Sequence, residues 1–431
     1  MQPLEKRLKV LVIAAATHPD EGSEPGLGWK WVEALAAFHD LWVITGKYRN
    51  NSEAIERRFQ EFPELRDRLK IFYIPWFVPR KNPVSQFFLR IWYPLYYRYY
   101  RQWQRQAFEV ARKLYQENQF DLLHQLNMTG YREPGYLWKL DAPFVWGPVG
   151  GTHNVPIRFA SVLGLRETLY HLGKRIVNYL QLRYHRRVIV ALKRADGFIT
   201  VTPRERETFL QVTGKGSVVI GVNRAISTQK QLSAKRNTTC EKPIQLIWSG
   251  VHQSRKALPL ALRALALLRG ACEFHLHVLG DGKMTQAWKQ LANKLDLNKH
   301  CTWHGWLAHK EAVSLLGKGD VFVFTSLGES TPSVILESLS VGVPVICLDH
   351  CGMAEVVTPH CGVKIPVTTP KRVIVDLADT IYRLAKNPDE VRLLSEGALI
   401  RAREYSWDCG VQEMLKVYQQ AVAHWQENEM T

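Results

Sequence analysis

The 431-residue chain has no run of 18 or more apolar residues, so it offers no helix able to span a bilayer. It has no Cys-x-x-Cys pair, and its seven cysteines are an odd number, which argues against a complete disulfide framework and fits a reducing cytoplasm. Asp-x-Asp, the usual acid pair that holds a divalent ion against a diphosphate, is missing, as are repeats and low-complexity tracts. Acids are scarce: 40 Asp and Glu face 57 Lys and Arg, giving a net charge of +17. The excess is concentrated in residues 1–205, with 31 basic against 19 acidic residues, so the first half is expected to meet an anionic partner: lipid head groups, nucleic acid or a phosphorylated substrate.

What remains is an ordinary globular composition, 46% hydrophobic and 23% charged, on a chain too long for one core. Strand-like apolar runs at 10–16, 41–45, 71–74, 120–125 and 196–202 alternate with helical patterns, and a second such series starts at 244. Between them, residues 217–242 turn to Ser, Thr, Asn, Lys and Arg without apolar period, as a linker does. The expected organisation is an α/β fold of two domains, 1–216 and 243–405, joined by the linker 217–242 and followed by a helix over 406–431. The N-terminal basic patch and short apolar run have the look of a signal peptide, but the run leads straight into a glycine-bearing loop and is read as the first buried strand.

The most informative stretch is residues 328–357, GESTPSVILESLSVGVPVICLDHCGMAEVV. Glu329 lies in a Gly/Ser/Pro turn and Glu337 eight positions on, inside an apolar run. A helix over 331–341 would put Pro332 in its first turn, and its unpaired N–H groups near Thr331, Ser333 and Val334 would suit a diphosphate. Residues 343–348 read as a strand buried on both faces.

With its strand and trailing Glu-Val-Val, this E-x7-E arrangement resembles the donor site of the retaining GT-B glycosyltransferases, the large family-4 group. The resemblance implies two Rossmann-like domains facing a cleft, 1–216 binding acceptor and 243–405 binding donor, with the last helix, 406–431, crossing back to the first. It implies sugar transfer with retention from a nucleotide-sugar, without a metal or other cofactor. Glu329 matches the residue beside the donor sugar and Glu337 the one that holds ribose. Arg255 and Lys256 open a helix after the 244–249 strand and match the cations on the donor phosphates, although Ala257 stands where relatives carry glycine and Val251 where they carry the arginine. Gly280, in Leu-Gly-Asp-Gly, matches a further donor-side turn, and residues 304–307 the strand that touches the base. Cys351 and Gly352 stand where two glycines are usual.

In the first domain, Gly26 and Gly28 follow strand one, where relatives have a glycine-bearing loop facing the donor. His124 ends a strand-like run and either reaches the cleft or caps the strand. His153 follows a Gly-Pro-Val-Gly-Gly turn and is the second candidate for the cleft histidine, while the strand before it runs into Trp146 and Gly147. Residues 84–105 carry nine aromatics, four arginines and no acid, the composition of a segment lying on anionic lipid, or of an aromatic hairpin packed on the domain. Residues 157–194 add nine basic residues against Glu167 alone. Cys347, His350, Cys351, His360 and Cys361 crowd as metal ligands can, but on an apolar strand and its loop they read as a chance cluster.

The resulting expectation is a glycosyltransferase acting on a glycan or glycolipid acceptor in polysaccharide or glycolipid synthesis, peripheral on the inner face of the cytoplasmic membrane, with no nucleic-acid partner. The alternatives are a nucleotide-sugar 2-epimerase on the same fold and a non-catalytic binding protein.

Overall fold

Short β-branched runs separated by amphipathic helices dictate parallel strands, because each return to the sheet needs a crossover that buries one helix face. The computed structural model describes residues 7–76, 93–225 and 243–429, and these form two compact units. One contains the chain up to Thr152 together with Tyr179–Val222 and the C-terminal segment from Gly410; the other contains His153–Asn178 and Asn223–Cys409. Residues 153–178, expected in the first domain, thus group with the second, and the division falls inside the Leu165–Tyr184 helix.

The first unit holds a parallel sheet of β1 (Lys9–Ala14), β2 (Asp40–Lys47), β3 (Leu69–Pro75), β4 (Leu122–Asn127), β5 (Phe144–Val149), β6 (Gly197–Thr200) and β7 (Val218–Val219), in the order β3-β2-β1-β4-β5-β6-β7. Strand β7 pairs with β6 from within the stretch expected to be linker. Leu11, Ile13, Trp42, Leu123 and Phe144 point to one face, each burial contributing about 1.5–3 kcal/mol.

Against that face lies the Tyr93–Glu117 helix, with Tyr100, Trp103, Ala107, Ala111 and Leu114 buried at three- and four-residue spacing. In the described part of the segment expected on lipid, Tyr100 and Trp103 are thus core residues, and Tyr96 and Tyr97 pack partly against them; residues 84–92 lie outside the described residues. Its arginines stay at the rim, where Arg101 Nε bonds Glu133 at 2.9 Å and Arg105 Nε bonds the Tyr136 hydroxyl at 3.2 Å. Tyr97, Arg98, Arg101, Gln102 and Arg105 line a cavity of about 560 Å³. From the closing helix, Trp407–Glu429, Tyr418 reaches His124 inside this unit.

The second unit repeats the plan with β8 (Ile244–Ser249), β9 (Phe274–Leu279), β10 (Cys301–Gly305), β11 (Val321–Phe324), β12 (Val345–Leu348) and β13 (Gly362–Ile365), ordered β10-β9-β8-β11-β12-β13. Leu246, Trp248, Val321 and Val323 enter one core, and Ile247, Phe322, Phe324 and Val345 another on the opposite face. Both faces are covered, as continuous apolar strands require. In each sheet the order reverses beside the unit's first strand, and open sheets of this kind bind ligands at the carboxyl ends there. Among the described residues no helix is long and apolar enough to cross a membrane.

Candidate active site

At the carboxyl edge of the second sheet, glycines press loop against loop. A Cβ on Gly280, whose φ is +103°, would sit 2.2 Å from the Gly250 carbonyl oxygen, and one on Gly282 would sit 2.7 Å from that of His252. Backbone bonds from His252 N–H to Asp281 (2.9 Å) and from Met284 N–H to His252 (3.0 Å) hold the loops together. Gly280 thus acts through this contact, which fixes the start of the following 3₁₀ turn, Ser254–Lys256.

That turn is anchored from below. The Arg255 carbonyl accepts from Leu327 N–H (2.8 Å), and the Lys256 carbonyl accepts from the Thr325 hydroxyl (2.8 Å), which in turn accepts from Trp248 Nε1 (3.1 Å). Ala257 then takes φ +49°, the left-handed backbone that glycine adopts freely. The sequence departs from the family at Ala257, and the backbone keeps the conformation glycine would give.

Both cations converge on one carboxylate. Lys256 Nζ lies 2.6 Å from Glu329 Oε1, Arg255 pairs with the same oxygen, and Arg255 also donates to the Gly328 carbonyl at 2.9 Å. Burial pushes the Lys256 ammonium below its ordinary pKa against the opposing charge of Glu329. Burial would raise the Glu329 carboxyl, but Lys256 and Arg255 outweigh it and hold it below the ordinary carboxylate range.

The turn carrying Glu329 is clamped by Gly352. Its N–H donates to the Glu329 carbonyl at 3.0 Å, and a Cβ there would fall 1.4 Å from the Ser330 carbonyl oxygen. Cys351 takes φ +54°, so the first of the two usual glycine positions keeps its left-handed backbone with a side chain in place.

The next helix is Ser333–Ser340, with Pro332 as its N-cap rather than inside the first turn. It starts two residues later than expected because the preceding turn is held otherwise: Thr331 and Pro332 are buried, and Asn223 Nδ2 donates to the Thr331 carbonyl. Ser333 is exposed, Val334 half-buried, and no side chain caps the N–H groups of this end. Glu337 consequently lies about one turn in, not two, and its Oε1 meets His309 Nε2 at 3.3 Å.

The first unit's carboxyl edge is closed on itself. Gly26 and Gly28 sit inside the Ser23–Ala36 helix, not in the loop before it. A Cβ on Gly26 would meet the Glu21 carbonyl oxygen at 2.0 Å, and one on Gly28 that of Ala16 at 2.1 Å, so the chain's own carbonyls lie where a side chain at either position would begin.

His124 is a correction of the same kind. It lies in mid-strand, fully buried, with Nε2 donating to the Gly147 carbonyl (2.7 Å) and Nδ1 accepting from the Tyr418 hydroxyl (2.6 Å). A carbonyl only accepts, so the proton is on Nε2 and neither nitrogen is left for substrate; burial pulls its pKa down to about 4. The turn before His153 is likewise engaged: Gly151 N–H (2.7 Å) and Thr152 N–H (3.3 Å) both donate to buried Glu205. His153 itself is half-buried and groups with the second unit.

Sequence reasoning missed Glu24, Glu205, Asn223 and His309. Glu24 accepts from Thr129 N–H (2.6 Å) and its hydroxyl (2.9 Å), and burial raises its pKa. It was visible only as one acid in the glycine-bearing loop. The Cys/His crowding at 347–361 does not form a ligand set: among the described residues no three His, Cys, Asp or Glu come together for a metal, and Cys361 bonds Thr358 instead.

Residues 229–399 match the family model described as glycosyl transferases group 1. LpsE of Rhizobium meliloti, a lipopolysaccharide core biosynthesis glycosyltransferase, is 32% identical over 143 residues, 33% of this chain and 37% of that protein. The chain spans about half the length, or less, of the curated relatives it matches first. A glycosyltransferase structure from Rickettsia africae covers 96% of this chain and 99% of its own, with a TM-score of 0.64 at 16% identity. Anabaena HepE, solved in complex with UDP-glucose, covers 98% of this chain and 100% of its own, with a TM-score of 0.57 at 15% identity. Over residues 229–399 the chain is therefore similar to the group 1 glycosyl transferases, and its described residues have the GT-B fold.

Proposed function

We propose that the protein is a retaining glycosyltransferase moving a sugar from a nucleotide-diphosphate donor to a membrane-associated or lipid-linked acceptor, in polysaccharide or glycolipid synthesis. The observation that carries this reading is the convergence of Arg255 and Lys256 on Glu329, one turn ahead of the uncapped Ser333–Ser340 helix. The Glu329 carboxylate balances two cations, and a donor diphosphate brought beside them takes over that role.

When the bond between the sugar's anomeric carbon and the diphosphate breaks, negative charge grows on the leaving oxygen. Arg255, Lys256 and the first N–H groups of the helix stabilise it without a divalent ion. Glu329, released from part of its ion pairing, orients the sugar, and Glu337 binds ribose in place of its contact with His309. A site on the inner face of the cytoplasmic membrane would put donor and acceptor in one place.

The test is a thermal-shift screen against UDP, GDP, ADP and their sugar conjugates, with and without EDTA, beginning with UDP-glucose because HepE was solved with it. A nucleotide at a hundred times its Kd should stabilise the fold by about 2.7 kcal/mol, unchanged by chelator. No shift from any nucleotide above roughly 1 mM would sink the donor site. Conversion of the donor to an epimer without an acceptor would replace transfer by epimerisation.

A further inference from the structure

The Leu165–Tyr184 helix is amphipathic the wrong way round. Its inward positions are mostly polar: Thr168, His171, Lys174, Asn178 and Gln181 are half-buried or buried. Its outward face carries Leu165 (78% exposed), Leu169 (60%), Leu172, Ile176 (56%), Tyr179 and Leu180. Those six recur at three, four and seven residues, one continuous stripe along a helix about 30 Å long. An apolar patch of this extent marks a surface that something covers.

Charge says what covers it. Arg166 and Arg175 lie at the two edges of the stripe and Arg183 at its C-terminal end, all exposed, while Glu167, the sole acid in residues 157–194, points away from it. Apolar side chains bordered by arginines fit an acyl boundary below anionic head groups, with the guanidinium groups snorkelling to phosphate. A second copy of the chain would bring like charges together across the stripe.

The chain leading into the helix packs beside the donor site. Residues 153–178 belong to the same unit as Arg255 and Glu329, and Val155 and Phe159, just upstream, pack into the core shared with Trp248 and Leu258. His171 lies near enough to Arg255 to feel its charge.

We propose that the outward face of the Leu165–Tyr184 helix docks on an anionic lipid bilayer, holding the Arg255/Lys256/Glu329 site beside acceptors carried in that bilayer. The acceptor half of this statement rests on the function proposed above; the docking half does not.

The test is flotation of the full chain with phosphatidylcholine vesicles, with and without phosphatidylglycerol, at low and high salt. The wild type should float only with the anionic vesicles, and less so in high salt. A Leu169→Glu/Ile176→Glu variant should lose flotation by roughly tenfold or more, and Arg166→Gln/Arg175→Gln should lose chiefly the salt-sensitive part. Circular dichroism and the nucleotide-induced thermal shift of both variants should match the wild type, which separates a failure of docking from a failure of the donor site.

A wild type that does not float, one that floats equally on neutral vesicles, or a double-glutamate variant that floats normally would overturn the proposal. So would a dimer in velocity sedimentation that the double-glutamate variant dissolves, which would make the stripe a contact between copies.

Discussion

The two units are built on the same plan, a parallel sheet whose order reverses beside its first strand, and yet their carboxyl edges do opposite things. In the second unit the edge gathers Arg255, Lys256 and Glu329 beside an uncapped helix end. In the first unit the corresponding loops satisfy themselves: Glu205 takes the N–H groups of Gly151 and Thr152, and Glu24 takes the N–H and hydroxyl of Thr129, while His124, in mid-strand behind them, is sealed between Gly147 and Tyr418. The lesson is that a site at this edge is not a property of the topology. It depends on whether the loop's polar groups are spent on one another or left facing outward as an excess of one charge.

The largest effect is expected of Lys256→Ala. Losing one of two cations on the leaving diphosphate should cost about 10²–10³ in kcat/KM while the fold survives. Near-normal turnover in a folded variant would mean that the ion cluster is structural after all.

Next comes Glu329→Gln, which leaves two cations sharing a neutral amide. It should destabilise the protein by about 3 kcal/mol at neutral pH as well as slow transfer. Because the folded-state pKa of Glu329 is lowered, its contribution is present above the ordinary carboxylate pKa and is lost as pH falls through the folded value. The gap between variant and wild-type melting points should therefore narrow in acid.

Glu24→Gln is the counterpart in the first unit. There the folded pKa is raised, so stability is fully present below the ordinary value and declines as pH rises through the folded one. Glutamine keeps an acceptor for Thr129, so this variant should gain stability near neutrality and match the wild type in acid. Parallel pH dependence in the two variants would erase the contrast between the edges.

His124→Ala sharpens the same point from the interior. It removes two buried hydrogen bonds and leaves the Tyr418 hydroxyl and Gly147 carbonyl unpaired, a loss of about 2–3 kcal/mol by chemical denaturation. KM for the donor should not change, and a collapse of kcat in the folded variant would return His124 to the chemistry. The smallest effect is expected of Ala257→Gly: relieving the left-handed alanine, partly offset by the entropy of glycine, should stabilise by about 0.5 kcal/mol with donor affinity unchanged.

Much of the second unit was legible in advance because its signals are local. The strands at 244–249 and 321–325 sit within a residue of their expected ends, and the 258–268 helix is where the pattern placed it. Lys256 and Glu329 stand 73 positions apart as separate candidates in the sequence, and folding brings them to 2.6 Å. The first unit was harder to read because the same residue types serve packing there. Gly26 and Gly28 look like ligand-approach glycines in sequence, but they let a helix lie on the chain's own carbonyls. His124 has the position of a cleft residue in the chain and the surroundings of a core residue in space.

By itself the sequence determined the α/β alternation, the parallel sheets and the E-x7-E stretch, since periodicity and motif spacing act over a few turns or strands of chain. The tertiary structure alone decided which polar groups are spent. Whether a histidine is free depends on Tyr418, 294 positions away, and whether a helix face is apolar outward depends on what the other face packs against. Burial and pairing arise from contacts distant in the chain, and no local pattern carries them.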